Sequence, residues 1–182
     1  MQLLKVSKEM NEYKQIKKLY KKAFPIEERA PFWLLMRKTR ESITDFWSLH
    51  DNGKWVGIAY VVKGERLAYL FYLAIKEEER NKGYGEKVLA ALKDYYEGCR
   101  LFLALEALDK TADNYEQRVK RHLFYEKCGL TQLPYKIKEA SVIYDIMGVG
   151  GDVEPEEYNL LMKNYLGKFY SKIIDMRIIE DK

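Results

Sequence analysis

Residues 66–87 join an apolar run, Leu67 to Ile75, to a charged turn and then to a helix, and this junction constrains the fold more than any other stretch of the chain. Apart from tyrosine hydroxyls the run is apolar without alternation, as suits a strand buried on both faces. The turn reads Arg80-x-x-Gly83-x-Gly85. Glycine lets a backbone bend sharply and approach a ligand. The helix behind it offers unpaired N–H groups and the positive end of its dipole. Strand, glycine turn and helix in this order build a cradle for an anion such as a diphosphate. Arg80, Lys82 and Lys87 add charge around it. The same string also suits a solvated strand-to-helix turn. The buried run before it, and Val88, Leu92 and Tyr95 on one stripe after it with Ala91 beside them, place it at the carboxyl end of a central strand, where ligands of α/β sheets bind. Two other phosphate loops are excluded. G-x-G-x-x-G fails because Val88 holds the third small position, and the string G-x-x-x-x-G-K-[ST] does not occur.

The 182 residues suffice for one core, and residues 1–182 read as a single domain. A 47% share of hydrophobic residues argues against disorder. The net charge of +4 comes from cations interleaved with acids, so no nucleic-acid partner is expected. Cys99 and Cys128 are isolated, which suits a reducing cytoplasm, and His50 and His122 are too far apart to suggest a zinc set. Charged residues fill the first twenty positions, where a signal peptide would be apolar, and no apolar run approaches the roughly 20 residues of a membrane span. A cytoplasmic protein with no membrane partner is the expectation.

Periodicity and turn residues give an element order. Leu3–Val6 reads as a strand, with Ser7 as a cap for a helix bearing Tyr13, Ile16, Leu19, Tyr20 and Ala23. A proline-bounded loop leads to a second helix from Pro31 to about Thr39. Three strands, 42–50, 54–63 and 66–75, are joined by short turns as an antiparallel meander. A helix over 84–97 and a strand over 100–108 imply a parallel crossover. A helix over 115–128 with Val119, Leu123, Phe124 and Cys128 inward, strands near 130–137 and 140–147, and a last helix near 155–170 complete the chain.

This order, with the glycine turn after the fourth strand, resembles the GNAT superfamily of N-acetyltransferases, in particular its small bacterial type. Two motifs carry the likeness: Leu73-Ala74-Ile75 followed by Arg80-Asn81-Lys82-Gly83-Tyr84-Gly85, and Phe124-Tyr125-Glu126-Lys127-Cys128-Gly129-Leu130. Leu105-Glu106 on the fifth strand and the loop Phe24-Pro25-x-x-Glu28-Arg29 also fit, so the likeness spans roughly residues 1–150. It implies an α/β (α+β) acyl-CoA N-acyltransferase fold. That fold has a mixed, mostly antiparallel sheet of about seven strands flanked by helices, with the fourth and fifth strands splayed. It implies acetyl-CoA as cosubstrate, with the pantetheine arm added strand-wise to Leu73, Ala74 and Ile75. The pyrophosphate would be held by Arg80, Asn81, Lys82, Gly83, Tyr84, Gly85, Glu86 and Lys87. Tyr125 matches the tyrosine that relatives place near the cofactor sulfur, and is expected as the acid that protonates the leaving thiolate. An amphipathic helix would also use it as a core tyrosine.

Three departures stand out. Arg118 replaces an asparagine that many relatives aim at the pantetheine, Glu77 replaces a proline, and Leu130 replaces a phenylalanine. Glu106, interrupting an apolar strand, reads either as a general base or as a carboxylate that holds a nearby cation. The implied activity is transfer of an acetyl group from acetyl-CoA to a primary amine of a small molecule or peptide, by a monomer or homodimer. A non-catalytic acyl-CoA-binding sensor or assembly domain is the alternative. Phe24, Phe32, Trp33 and the segment 148–154 are expected on the acceptor side, and Glu27 and Glu28 read as solvated charges or as ligands for a cationic acceptor.

Overall fold

The computed structural model describes residues 1–26, 29–139, 142–167 and 177–180. Its contacts gather into two compact units, residues 1–63 with 70–97, and residues 64–69 with 98–182. Glu27 and Glu28 lie outside the described residues. Among the described residues no helix is long and apolar enough to cross a membrane.

The first unit holds β1 (Gln2–Lys5), α1 (Tyr13–Ala23), α2 (Phe32–Lys38), β2 (Thr44–Asp51), most of β3 (Lys54–Gly64), the later part of β4 (Leu67–Ile75) and α3 (Tyr84–Tyr95). β1 runs antiparallel to β2, and β2 to β3. The β2–β3 turn uses Asn52 and Gly53 at φ +50 and +76, the left-handed pair that a two-residue hairpin requires. Ser7 does not cap α1. The chain makes further turns, with Met10 N–H donating to the Ser7 carbonyl, and Glu12 takes the cap position. Ile16 and Tyr20 of α1 and Phe32 and Leu35 of α2 are buried. Tyr20, Phe32, Phe46 and Tyr60 form a run of edge and tilted ring contacts. On α3 the buried stripe is Val88, Leu89 and Leu92. Tyr95, expected inward, is 53% exposed and lies edge-on to Trp47. The buried neighbour is Tyr96, whose hydroxyl accepts from Trp47 Nε1 at 2.9 Å and donates to buried Asp45 at 2.8 Å.

The second unit holds the start of β4, β5 (Arg100–Glu106), α4 (Tyr115–Lys127), β6 (Thr131–Glu139), β7 (Val142–Val149), α5 (Pro155–Leu166) and β8 (Arg177–Glu180). β4 and β5 are parallel, paired from Leu67↔Arg100 to Tyr69↔Phe102. β7 lies antiparallel to both β5 and β6, and β8 antiparallel to β6. Ladder neighbours run β1-β2-β3-β4 and then β4-β5-β7-β6-β8. The sheet is mixed, as expected, with eight described strands instead of about seven. The addition is β8, a four-residue stretch beyond the last helix.

α5 begins as its residues dictate. Glu154 and Glu157 form a reciprocal capping box, Pro155 fills the first turn, and Tyr158, Leu161, Met162 and Tyr165 are buried. Arg100 of β5 grips Glu157 through two nitrogens at 2.7 and 2.6 Å. The expected extension of this helix past 167 lies outside the described residues. α4 departs from expectation. Leu123 is 58% exposed, and the buried residue of this helix is His122. Its Nε2 meets Asp145 of β7 at 3.1 Å and its Nδ1 meets the Arg118 carbonyl at 2.9 Å, so a polar pair occupies the place an apolar stripe would take.

Candidate active site

All eleven residues expected to bind the cofactor lie in the first unit, on one continuous stretch. β4 gives way after Ile75 to a 3-10 turn, Glu77–Glu79, then to Arg80 in extended conformation, Asn81 at φ +60, and Gly83 at φ +76 as the N-cap of α3. Gly83 gives the helix no side-chain cap. A Cβ built on Gly83 would meet nothing within 4 Å. The glycine is therefore demanded by its left-handed backbone, and the space over the turn is open. Gly85 lies within the first turn of α3. Helix geometry leaves the first N–H groups of α3 without intrahelical carbonyls, aimed into that space.

The cations are less available than their spacing suggested. Lys82 pairs with Glu79 at 3.2 Å and Lys87 with Asp51 at 2.8 Å. Arg80 Nε donates to the Ile75 carbonyl at 3.4 Å. Glu79 is only 2% exposed and also receives Lys54 at 2.6 Å; that hydrogen bond, and a second from Lys82, hold its carboxyl below the usual range against the opposing effect of desolvation. An anion at this turn would be bound chiefly by backbone.

The strand edge can be read the same way. Lys76 N–H donates to the Val56 carbonyl of β3 at 2.9 Å, and a Cβ on Gly57 would sit 2.4 Å from the Ala74 carbonyl oxygen. The backbone groups of Ala74 and Lys76 therefore face β3, and by strand alternation those of Leu73 and Ile75 face the opposite edge. The ladder to β5 has already ended at Tyr69. The Leu73 and Ile75 groups on that edge, where Arg80 Nε already reaches the Ile75 carbonyl, suit an added amide chain.

Tyr125 and Glu106 lie in the second unit. Tyr125 is on α4 and half-buried. Its hydroxyl has no hydrogen-bond partner among the described residues, where no fully buried side-chain oxygen is left unpartnered, so solvent reaches it. Burial pushes the phenol up to about 12; the nearby Arg121 charge pulls it down and Cys128 pushes it up. Glu106 ends β5 inside a closed network. Arg118 Nη2 contacts it at 2.9 Å and Arg121 Nη2 at 2.5 Å, while Asn114 Nδ2 donates to both its oxygens at 3.4 and 3.3 Å. Burial raises this carboxyl, but the hydrogen bonds from Arg121 and Asn114 and the two guanidinium charges outweigh it, leaving Glu106 below the usual range. The geometry is that of a carboxylate holding cations. Arg118 is consumed by the network, with Nε donating to Asn114 Oδ1 at 2.7 Å and Nη1 to the Ala107 carbonyl at 2.8 Å.

Among the described residues, a carboxyl raised above its usual value is that of Glu139 at the end of β6. Desolvation raises it, and a 3.1 Å hydrogen bond donated by the Tyr158 hydroxyl partly offsets the effect. No sequence signal marks Glu139. Arg121 was legible only as a cation four positions before Tyr125, one turn away on a helix. Of the aromatics expected on the acceptor side, Phe24 packs against Tyr72 with centroids 4.7 Å apart, and Trp33 is 64% exposed beneath Arg37. Phe32, with Tyr20, Ile26, Arg29 and Pro31, lines a cavity of about 300 Å³.

The sequence model of the acetyltransferase (GNAT) domain matches residues 42–131. A search of curated proteins finds no match. Among solved structures, a protein described as a GNAT-family acetyltransferase from Bacteroides thetaiotaomicron superposes with a TM-score of 0.76 at 20% identity, covering 93% of this chain and 98% of its own. An aminoglycoside 6′-N-acetyltransferase complexed with coenzyme A gives 0.63 at 15% identity, covering 85% and 99%. A dodecameric spermidine N-acetyltransferase from Vibrio cholerae gives 0.62 at 14%, covering 81% and 92%. At such identities these likenesses speak to the fold alone. Residues 42–131 thus match the GNAT acetyltransferase domain, and the chain has the fold of GNAT-family structures.

Proposed function

We propose that the chain is an acetyl-CoA-dependent N-acetyltransferase that moves an acetyl group to a primary amine of a small acceptor by direct attack. One observation carries the reading: an open, left-handed glycine turn caps α3 directly after a strand whose Leu73 and Ile75 backbone groups face away from β3. Arg80 to Lys87 would hold the pyrophosphate, mainly through amides, and Leu73 to Ile75 the pantetheine. The solved relatives named for aminoglycosides and spermidine favour a small amine as acceptor.

Acetyl transfer needs an uncharged amine, whose conjugate acid has a pKa of about 10.4 when unperturbed. Glu106, depressed by its arginines, is a poor proton acceptor near neutrality, so the proton is assigned to water. The attacking nitrogen forms its bond to the thioester carbon, and the oxygen gains negative charge that a strand amide such as that of Ile75 would stabilise. The C–S bond then breaks with its electron pair on sulfur, and Tyr125 supplies the proton to the thiolate.

The test is a panel of amines with acetyl-CoA, following free thiol. Acetyl-CoA should raise the unfolding temperature, and at least one amine should release thiol. Stabilisation without thiol release across aminoglycosides, polyamines, amino acids and peptides would favour a cofactor sensor. No stabilisation at all would refute both readings.

A further inference from the structure

We infer that Arg121, clamped by Glu106, is a positioning residue that keeps a positive charge beside the Tyr125 hydroxyl, and that Glu106 serves the reaction as the anchor of this charge. The inference rests on the reading of Tyr125 as the acid. Positions 114, 118, 121 and 125 fall at successive helical spacings and line one side of α4. The first three residues are knotted to Glu106: Arg118 and Arg121 by ion pairs, Asn114 by its amide. Two guanidiniums share one carboxylate, so the cluster keeps one net positive charge. Arg118 spends its nitrogens on Asn114, Ala107 and Glu106. Arg121 is the half-exposed member, one helical turn before Tyr125, and its charge acts directly on that phenol. The charged and titratable groups that act on the hydroxyl are Arg121 and, in the opposite sense, Cys128; Arg118 and Glu106 stand behind Arg121 in the network.

The chemistry gives the arrangement its use. When the C–S bond breaks, the proton of Tyr125 passes to sulfur and leaves a phenolate. The phenolate regains a proton, through water, from the nitrogen that formed the new C–N bond. A fixed cation beside the oxygen stabilises that phenolate, and makes donation easier from a phenol that burial would otherwise hold too high. Glu106 prevents the flexible Arg121 side chain from swinging into solvent, and Arg118 with Asn114 prevents Glu106 from following it.

The experiment places a ring-fluorinated tyrosine at position 125 and titrates it by fluorine NMR, since fluorination brings the phenol into a pH range where the protein stays folded. Arg121→Gln should raise the midpoint by about half a unit to one unit, given the partial exposure of the arginine. Arg121→Lys should restore most of the shift, and in a Glu106→Gln background, where Arg121 is released, Arg121→Gln should move the midpoint less. Turnover of Arg121→Gln in the unlabelled enzyme should fall roughly tenfold with little change in acetyl-CoA affinity. An unmoved midpoint in folded Arg121→Gln would overturn the inference; should that variant not fold, an unmoved midpoint in Arg121→Met would overturn it instead. Full turnover in Tyr125→Phe would instead remove the acid reading while leaving the electrostatic result standing, so the two failures are distinguishable.

Discussion

Replacing Glu106 by glutamine should destabilise the protein in a way that depends on pH with a defined sign. The carboxylate is 14% exposed and faces two guanidiniums at 2.9 and 2.5 Å. Each contact is worth about 4 kcal/mol of attraction at an effective dielectric of 20, most of it offset by the cost of removing the charges from water. Breaking a fully buried pair costs roughly 3–5 kcal/mol, but Arg121 is 45% exposed and the amide retains a hydrogen-bonding oxygen, so about 2 kcal/mol is expected near neutral pH. Because the folded-state pKa is depressed, this stability is present above the unfolded carboxyl pKa of about 4.3 and is lost as pH falls through the lower folded value. Urea unfolding of wild type and Glu106→Gln, near neutrality and again near pH 4, reads the difference directly, since other carboxylates cancel between the two proteins. The gap should be widest near neutrality and shrink in acid. A gap that stays constant with pH, or widens in acid, would refute the assignment of Glu106 as an ion-paired carboxylate.

Glu139→Gln should behave in the opposite sense: burial raises this carboxyl, so the folded state is penalised as pH rises, and the amide variant should gain on wild type from acid to neutral pH in the same unfolding assay. Gly57→Ala forces a Cβ to within 2.4 Å of the Ala74 carbonyl and should cost about 3 kcal/mol by urea unfolding; a loss under ~1 kcal/mol would mean that β3 and β4 can part freely. Gly83→Ala meets no atom, so it should lower stability by only about 1 kcal/mol for its left-handed backbone, yet weaken acetyl-CoA binding measured by calorimetry, because the methyl group protrudes into the open space over the turn. Arg100→Lys loses the two-nitrogen grip on Glu157 and should cost about 1 kcal/mol, read from thermal unfolding.

Much of the molecule was legible in its residues. The run from Leu67 to Ile75, the glycine turn and the following helix stand where spacing put them, because each is decided by neighbours a few positions away. α5 follows its capping box and its stripe of Tyr158, Leu161, Met162 and Tyr165 for the same reason. Where the reading failed, a distant segment had intervened. Leu123 was expected inward on helical spacing, but Asp145, 23 residues later on β7, draws His122 into the buried position and turns Leu123 out. Tyr95 gives way to Tyr96 because Asp45 and Trp47, some fifty residues earlier, supply the partners for a buried hydroxyl.

The sequence by itself determined the order of elements, the glycine-capped helix behind a buried strand, and the placing of Tyr125 on α4 and of Glu106 at the end of β5. Tertiary structure alone decided the state of those groups. Whether Glu106 is a base or an ion pair turns on arginines 12 and 15 positions away that α4 brings to the end of β5. Periodicity reports which way a side chain points; its charge depends on which remote groups pack against it and how much water they displace.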